Sequence, residues 1–488
     1  MRSEDQHCQR FFWYDEEGNI VVYILQVMTF GACCSPSSAQ FVKNINAERF
    51  KAAYPAAVEV IQKRHYVDDM LVSVETEDEA FQLAQQVKKV HSKAGFEMRN
   101  WISNSERVVR DLQEEHTDEK NLDLSLELAT EKVLGMWWCT DSDTFTYKVG
   151  WTRYGEALLK GQRHPTKREM LRVLMSMFDP LGLIAHFLMY LKVLLQDVWR
   201  SGIDCDDAID DALFDKWQTW LQVLPQVERV SIPRCYRAQT SANCKDIQLH
   251  TFVDAGDNGI AAACYLRFAQ DDVVECRLVA AKTRVAPLKF LSTPRLELQA
   301  ALVGARLAQS VSDALSFRIS RRHYWSDSQD VLCWIKSDHR RYSQFVAFRV
   351  SEILDTTEMN EWRYVPTDLN VADDGTKWKG LPSLASETRW FTGPEFLQHP
   401  ETGWPDSCTS SNEAVLELRR NVLTHFIAPE PIVLSKRFLR LESDCESGCS
   451  SSSFSCQLQT EAPPATDPQQ EAYPEEIAVL QKSLQCSD

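Results

Sequence analysis

Asp254 and Asp327 stand where a carboxylate is costly unless it meets a cation, and two further acids, Glu297 and Asp373, stand at helical starts. Asp254 follows an apolar run in Thr-Phe-Val-Asp-Ala, and Asp327 follows another in Tyr-Trp-Ser-Asp-Ser. Glu297 falls in the first turn of a long helical pattern, in Thr-Pro-Arg-Leu-Glu-Leu. Asp373 lies at a helical start, in Asn-Val-Ala-Asp-Asp-Gly-Thr-Lys. A free carboxylate beside buried apolar residues loses hydration that only a cation or donors restore. Phosphodiester hydrolysis at neutral pH needs an activated water and a stabilised leaving oxygen, and paired hard cations supply both. Magnesium prefers carboxylate oxygen and keeps several waters. Carboxylates converging from different elements are therefore a candidate two-metal site, taking Mg2+ or Mn2+ on Asp254, Glu297, Asp327 and Asp373. Singly, each acid reads as a strand-end turn residue or a helix N-cap. Four in this order on these elements are harder to explain that way.

A second acidic pair lies in Tyr66-Val67-Asp68-Asp69. Two adjacent acids in an apolar hairpin also call for metal, which makes Asp68 and Asp69 a second candidate ligand set. The bland alternative is a surface hairpin with exposed acids. The run follows Phe30-Gly31-Ala32-Cys33-Cys34-Ser35-Pro36.

The elements that must position these acids are legible from periodicity. Residues 20–27 are apolar and β-branched, which predicts a strand. Residues 37–60 predict a helix interrupted near Pro55, and 65–74 predict a hairpin. Over 77–93, Ala80, Leu83, Ala84, Val87 and Val90 share one helical face. Residues 106–165 read as strand and turn with acidic loops. Thr166 with Glu169 has capping-box spacing for the next helix, which Asp179-Pro180-Leu181-Gly182 ends. Further helices are expected over 183–199 and 208–224. Strands are expected at 247–254, 259–267, 273–282 and 321–326, with a long helix over 294–316 before the last. Helices at 328–336 and 343–355, a strand at 361–366 and a helical start near Asn370 complete a mixed α/β layout.

Composition is that of a globular protein, with 44% apolar and 25% charged residues in 488. The length allows two or three domains. The net charge of -17 is the wrong overall sign for a protein that coats nucleic acid, although local clusters decide binding. Lys282, Arg284, Lys289 and Arg295 precede Glu297, and Arg321, Arg322, Lys336, Arg340 and Arg341 flank Asp327. They are candidate phosphate contacts, each singly also an ordinary surface charge. Trp325, Trp334, Trp362 and Trp378 read as core rather than base-stacking residues. Fifteen scattered cysteines and a polar start predict reduced thiols in a cytoplasmic or nuclear setting. The apolar stretch 181–198 carries His186, Lys192, Gln196 and Asp197, so a buried helix is expected and no membrane span.

The acids and their surrounding strings resemble a known family. Residues 246–380 resemble the ribonuclease H domain of retroelement polyproteins, and the chain over about 1–405 resembles the BEL/Pao group of LTR retrotransposons. Asn-Val-Ala-Asp-Asp-Gly-Thr-Lys-Trp at 370–378 is similar to that group's pattern. So are Thr-Lys-Arg-Glu at 166–169 and Phe-Asp-Pro-Leu-Gly-Leu at 178–183. The resemblance implies a first strand carrying Asp254, a long helix carrying Glu297, a fourth strand ending at Asp327 and a final helix carrying Asp373. It implies a metal-dependent nuclease acting on an RNA–DNA hybrid. One departure is the lack of any histidine between Arg340 and Asp373, where many such enzymes have one.

Tyr66-Val67-Asp68-Asp69 resembles the catalytic turn of reverse transcriptases. The family places another metal-binding Asp on a strand before Asp5-Gln6, so the expectation is a truncated palm without polymerase activity. The expected fold class is a multidomain mixture of α+β and α/β. Its parts are a truncated palm over 1–105, a thumb- or connection-like region over 106–245 and a ribonuclease H-like mixed-sheet domain over 246–380. A C-terminal extension follows over 381–440, then a disordered tail over 441–488, rich in Ser, Pro, Gln and Glu. Two other functions stay open. One is a non-catalytic remnant that at most binds nucleic acid. The other is an aspartic peptidase, which needs Asp-Thr-Gly or Asp-Ser-Gly; Asp254-Ala255-Gly256 is the nearest string.

Overall fold

The computed structural model describes residues 3–29, 31–67, 69–114, 130–150, 155–236, 244–271, 273–377, 382–405 and 416–418. The expected disordered tail over 441–488 lies outside the described residues. The amino-terminal part opens with an antiparallel hairpin, β1 (Arg10–Tyr14) and β2 (Ile20–Ile24). β1 was not expected, because Arg-Phe-Phe-Trp-Tyr lacks the polar–apolar alternation that marks a half-buried strand. Helices α1 (Ser35–Glu48) and α2 (Pro55–Lys63) are separated at Pro55, where the ring fits the first turn of a new helix. Between α2 and the next helix, β3 (His65–Tyr66) and β4 (Asp69–Met70) form the expected hairpin with two residues a side. Helix α3 (Glu77–Ser92) starts at a reciprocal Thr76–Glu79 capping box, and α4 (Glu106–Glu114) follows. Ala47, Val58, Ile61 and Val87 form the small core of α1, α2 and α3.

Strands β5 (Thr130–Val133), β6 (Met136–Cys139) and β7 (Thr144–Thr146) are consecutive antiparallel neighbours. Helix α5 (Lys167–Ser176) has the predicted Thr166–Glu169 capping box. Helix α6 (Ala185–Arg200) follows the Asp179-Pro180-Leu181-Gly182 turn and is mostly buried. The expected helix over 208–224 is α7 (Asp211–Leu221) plus one further turn, Leu224–Val227, with Pro225 near its start. β8 (Ile232–Pro233) then returns to pair with β7.

The turn before α6 is tightly specified. The Asp179 carboxylate accepts the backbone N–H of Leu183 at 2.8 Å and of Ile184 at 2.9 Å, and the Tyr147 hydroxyl at 2.8 Å. Gly182 has φ +71°, and a Cβ there would stand 1.8 Å from the Ala281 carbonyl oxygen. Only glycine suits that backbone and that approach.

The largest sheet has five strands in the order β11-β10-β9-β12-β13. β9 (Asp246–Gly256), β10 (Gly259–Gln270) and β11 (Val273–Val285) are antiparallel neighbours. Helix α8 (Thr293–Ala314) crosses to β12 (Arg321–Ser326), which pairs parallel to β9. Helices α9 (Gln329–Lys336) and α10 (Gln344–Thr356) lead to β13 (Trp362–Tyr364), parallel to β12. The expected helical start near Asn370 is a single 3-10 stretch, Val371–Gly375, capped by the Asn370 side chain.

β9 is buried almost throughout, as a central strand covered on both faces must be. On one face α8 comes close enough that a Cβ on Gly304 would stand 2.3 Å from Val253 Cγ1. Trp390, Phe391, Phe396 and Trp404 are buried in the same core as the sheet. That core is continuous from Leu134 to Trp404 and includes the helices before the sheet. Among the described residues no helix is long and apolar enough to cross a membrane. Nine described cysteines are free, as expected, whereas Cys235 is disulfide-bonded.

Candidate metal centre

The alternation of β9 decides which way Asp254 faces. Thr251 and Val253 meet Gly304 of α8, so Asp254 shares the opposite face with Phe252 and His250. It sits one residue beyond Val253 and is 3% exposed. Asp327 comes directly after β12, the parallel neighbour of β9, so the two strands deliver their acids side by side. Asp373 arrives from the 3-10 stretch and is 5% exposed. Carboxylate oxygens of Asp254, Asp327 and Asp373 all lie within 4.8 Å of one another. Among the described residues this is the group of acids, histidines or cysteines gathered closely enough to hold a metal.

Glu297 joins from α8 and is not part of that closest group. Its carboxylate accepts the hydroxyl of Ser328, the residue after Asp327. Burial pushes Glu297 up to about 7, with Asp327 and Asp254 adding repulsion and Ser328 opposing them. Burial likewise pushes Asp254 up to about 6, against the Thr376 hydroxyl and Lys377 and with the other two aspartates. Like charges crowded into a poorly hydrated site produce such shifts, and a bound cation reverses them.

A supporting shell fixes the acids. Asn370, fully buried, donates from Nδ2 to the Val253 carbonyl at 3.0 Å and to Asp327 Oδ1 at 3.3 Å. Its Oδ1 accepts the Ala372 N–H at 3.2 Å and so caps the stretch that carries Asp373. Thr367 donates to Asp327 Oδ2 at 2.8 Å. Thr376 donates to Asp254, and Lys377 reaches Asp254 Oδ1 at 3.3 Å as well as Asp373. Sequence reading did not single out Asn370, Thr376, Ser328 or Lys377 for these roles. The signal for Asn370 was its cap position before a turn; the others become visible only once the strands are paired.

The remaining candidates divide. Asp68 lies outside the described residues, and Asp69 is exposed on its two-residue strand. Asp373 is on a 3-10 turn rather than the α-helix expected, because the Asn370 cap and buried Gly375 wind the chain tightly. A Cβ on Gly375 would stand 2.9 Å from Ala261 Cβ, in the strand beside Asp254. Several basic residues expected as phosphate contacts are held internally. Arg295 pairs with Glu417, Arg321 with Glu401, Arg322 with Glu361 and Arg340 with Asp338. Lys289 and Lys336 are exposed. Trp325, Trp334 and Trp362 are fully buried core residues, as expected, and Trp378 lies outside the described residues.

A sheet with three antiparallel strands, a crossing helix and two further parallel strands therefore gathers three aspartates at one place. Residues 166–328 match the sequence model of the Pao retrotransposon-like RNaseH-like domain. Over those residues the chain is similar to that family's domain. The match spans α5, α6 and α7 as well as the sheet through Ser328, so in the Pao domain the helices before the sheet are included. Comparison with curated protein sequences gives no match. Among solved structures, the chain is similar to the N-terminal RNase H domain of a Mycobacterium tuberculosis protein, solved fused to maltose-binding protein. The identity is 10%, covering 27% of this chain and 91% of that one, with a TM-score of 0.21. It is also similar to a foamy viral protease-reverse transcriptase in complex with dsDNA. There the identity is 14%, covering 79% of this chain and 66% of that one, with a TM-score of 0.18. Scores this low carry no weight beside the family match and the acidic group.

Proposed function

We propose that the Pao domain is a divalent-metal-dependent ribonuclease that cuts the RNA strand of an RNA–DNA hybrid. Asp254, Asp327 and Asp373, with Glu297 beside them, would hold Mg2+ or Mn2+. The convergence of three aspartates within 4.8 Å carries this reading. The donor set fits such ions: it is all carboxylate oxygen, the choice of hard cations. Bound metal would supply an activated water and neutralise the leaving oxygen.

The protein's own residues do the positioning. Asn370 and Thr367 set the rotamer of Asp327, and Thr376 sets that of Asp254. Ser328 keeps Glu297 beside the group. On this reading 246–380 is the nuclease unit, with 106–245 and 381–440 as its supports and nucleic acid as the partner. Recognition of the RNA strand would rest on 2′-hydroxyl contacts.

The test is cleavage of a labelled RNA–DNA hybrid by the full chain with Mg2+ or Mn2+, beside Asp327→Asn. Cleavage that the variant loses supports the reading. No cleavage by folded protein would favour a remnant that at most binds nucleic acid.

The same reading assigns 1–105 a palm-like segment without polymerase activity. Asp69, the described member of the Asp68–Asp69 pair, is exposed on its strand. Primer extension on an RNA template should give no product; extension would overturn this part.

A further inference from the structure

The acidic group already has a cation of its own. Lys377 Nζ lies 3.3 Å from Asp254 Oδ1 and also pairs with Asp373 Oδ1. The ammonium therefore bridges two of the three converging aspartates. This is unlike a surface pair such as Lys51–Glu48, whose side chains are 65% and 51% exposed. The side chains of the two aspartates, taken without their backbone, are 1% and 7% exposed, while that of the lysine is 40% exposed. Its stem thus has an open route to water while its charge is spent on buried acids.

Charge accounts for the arrangement. Three aspartates this close repel one another where hydration is poor, and a cation must offset part of that repulsion. An ammonium is a compact point charge with three donors on a flexible stem, so it can do so and still swing away. It cannot stay between Asp254 and Asp373 when a divalent ion binds the same oxygens, since the two cations would repel at contact distance.

We propose that Lys377 is a tethered counter-cation, holding Asp254 and Asp373 together until a divalent metal displaces it. The inference rests on the metal-dependent reading above and deepens it. Metal loading is then an exchange of one cation for another rather than simple addition. The lysine lowers apparent metal affinity and in return stabilises the protein before metal arrives.

The test compares the full chain with Lys377→Met by Mn2+ titration, following free Mn2+ by its electron paramagnetic resonance signal, and by thermal melting in EDTA. The expected result is about tenfold tighter Mn2+ binding by the variant, the size of one partly exposed ion pair. Its melting temperature in EDTA should be lower, and its rise on adding Mn2+ larger, than for the unaltered chain. Should the methionine variant not fold, Lys377→Gln serves in its place. Equal or weaker Mn2+ binding by the variant would overturn the inference and leave the metal site standing. Binding by neither protein would remove the metal site, and the inference with it.

Discussion

One side-chain amide, that of Asn370, joins Asp327 to the backbone carbonyl just before Asp254. The acids arrive from separate elements, and this buried residue fixes the distance between two of them. Asn370→Ala should cost about 1–3 kcal/mol in urea unfolding, because the Val253 carbonyl loses its donor in a dry setting. Metal affinity should fall by roughly 10–100-fold, as when other outer supports of a metal site are removed. Unchanged Mn2+ titration would show that Asn370 serves the fold alone.

Ser328 offers a test that does not remove a carboxylate. Its hydroxyl opposes the upward push of burial on Glu297. Ser328→Ala should raise the Glu297 pKa further in the metal-free protein, read by carboxyl NMR titration in EDTA. An unmoved or lowered titration would show that the Ser328 hydroxyl does not stabilise the charged form.

Stability without metal should depend on pH in a specific direction. Asp254 and Glu297 have folded pKa values near 6 and 7, above their ordinary values of 3.8 and 4.5. Carboxyls raised in this way favour the folded state fully below their unfolded pKa values, and that contribution is lost as pH rises through the folded ones. In EDTA, the urea midpoint should therefore drop between about pH 4 and pH 7. The combined Asp254→Asn, Glu297→Gln variant should flatten that drop. A midpoint that rises across the window in the unaltered chain, relative to this variant, would contradict the assignment.

Gly304 tests the packing that aims the site. A methyl group there would meet Val253, which neighbours Asp254. Gly304→Ala should destabilise by about 1–3 kcal/mol despite its better helix propensity, because the helix must move off the strand. A gain in stability would show that α8 can shift freely.

Much of this was legible beforehand, for identifiable reasons. The Thr166 capping box depends on residues only three apart, so local sequence carries it. β12 appears over the residues expected, because Arg-Arg-His-Tyr-Trp-Ser changes from charged to apolar in one step. Asp254 and Asp327 stand out because each closes an apolar strand pattern, and Asp373 because it lies at a helical start. The 3-10 turn at Asp373 was hidden, since its winding is set by Gly375 against Ala261 on another strand. The commitment of Arg295 to Glu417 was hidden too, because its partner is 122 residues away. A charge pattern shows that a cation is present and not whether it is already paired.

The approach of α6 to the sheet has a consequence for how the molecule comes apart. Trp390 Nε1 donates to the Leu183 carbonyl, Gln196 to that of Ala286, and the Ala281 N–H to that of Leu181. Each bond crosses the boundary at 245 that the sequence suggests. Denaturant would thus meet one cooperative block, and the sheet should melt together with the helices that precede it. A nuclease excised at residue 246 would lose all three of these bonds, leaving the Ala281 N–H and the Ala286 carbonyl in need of water.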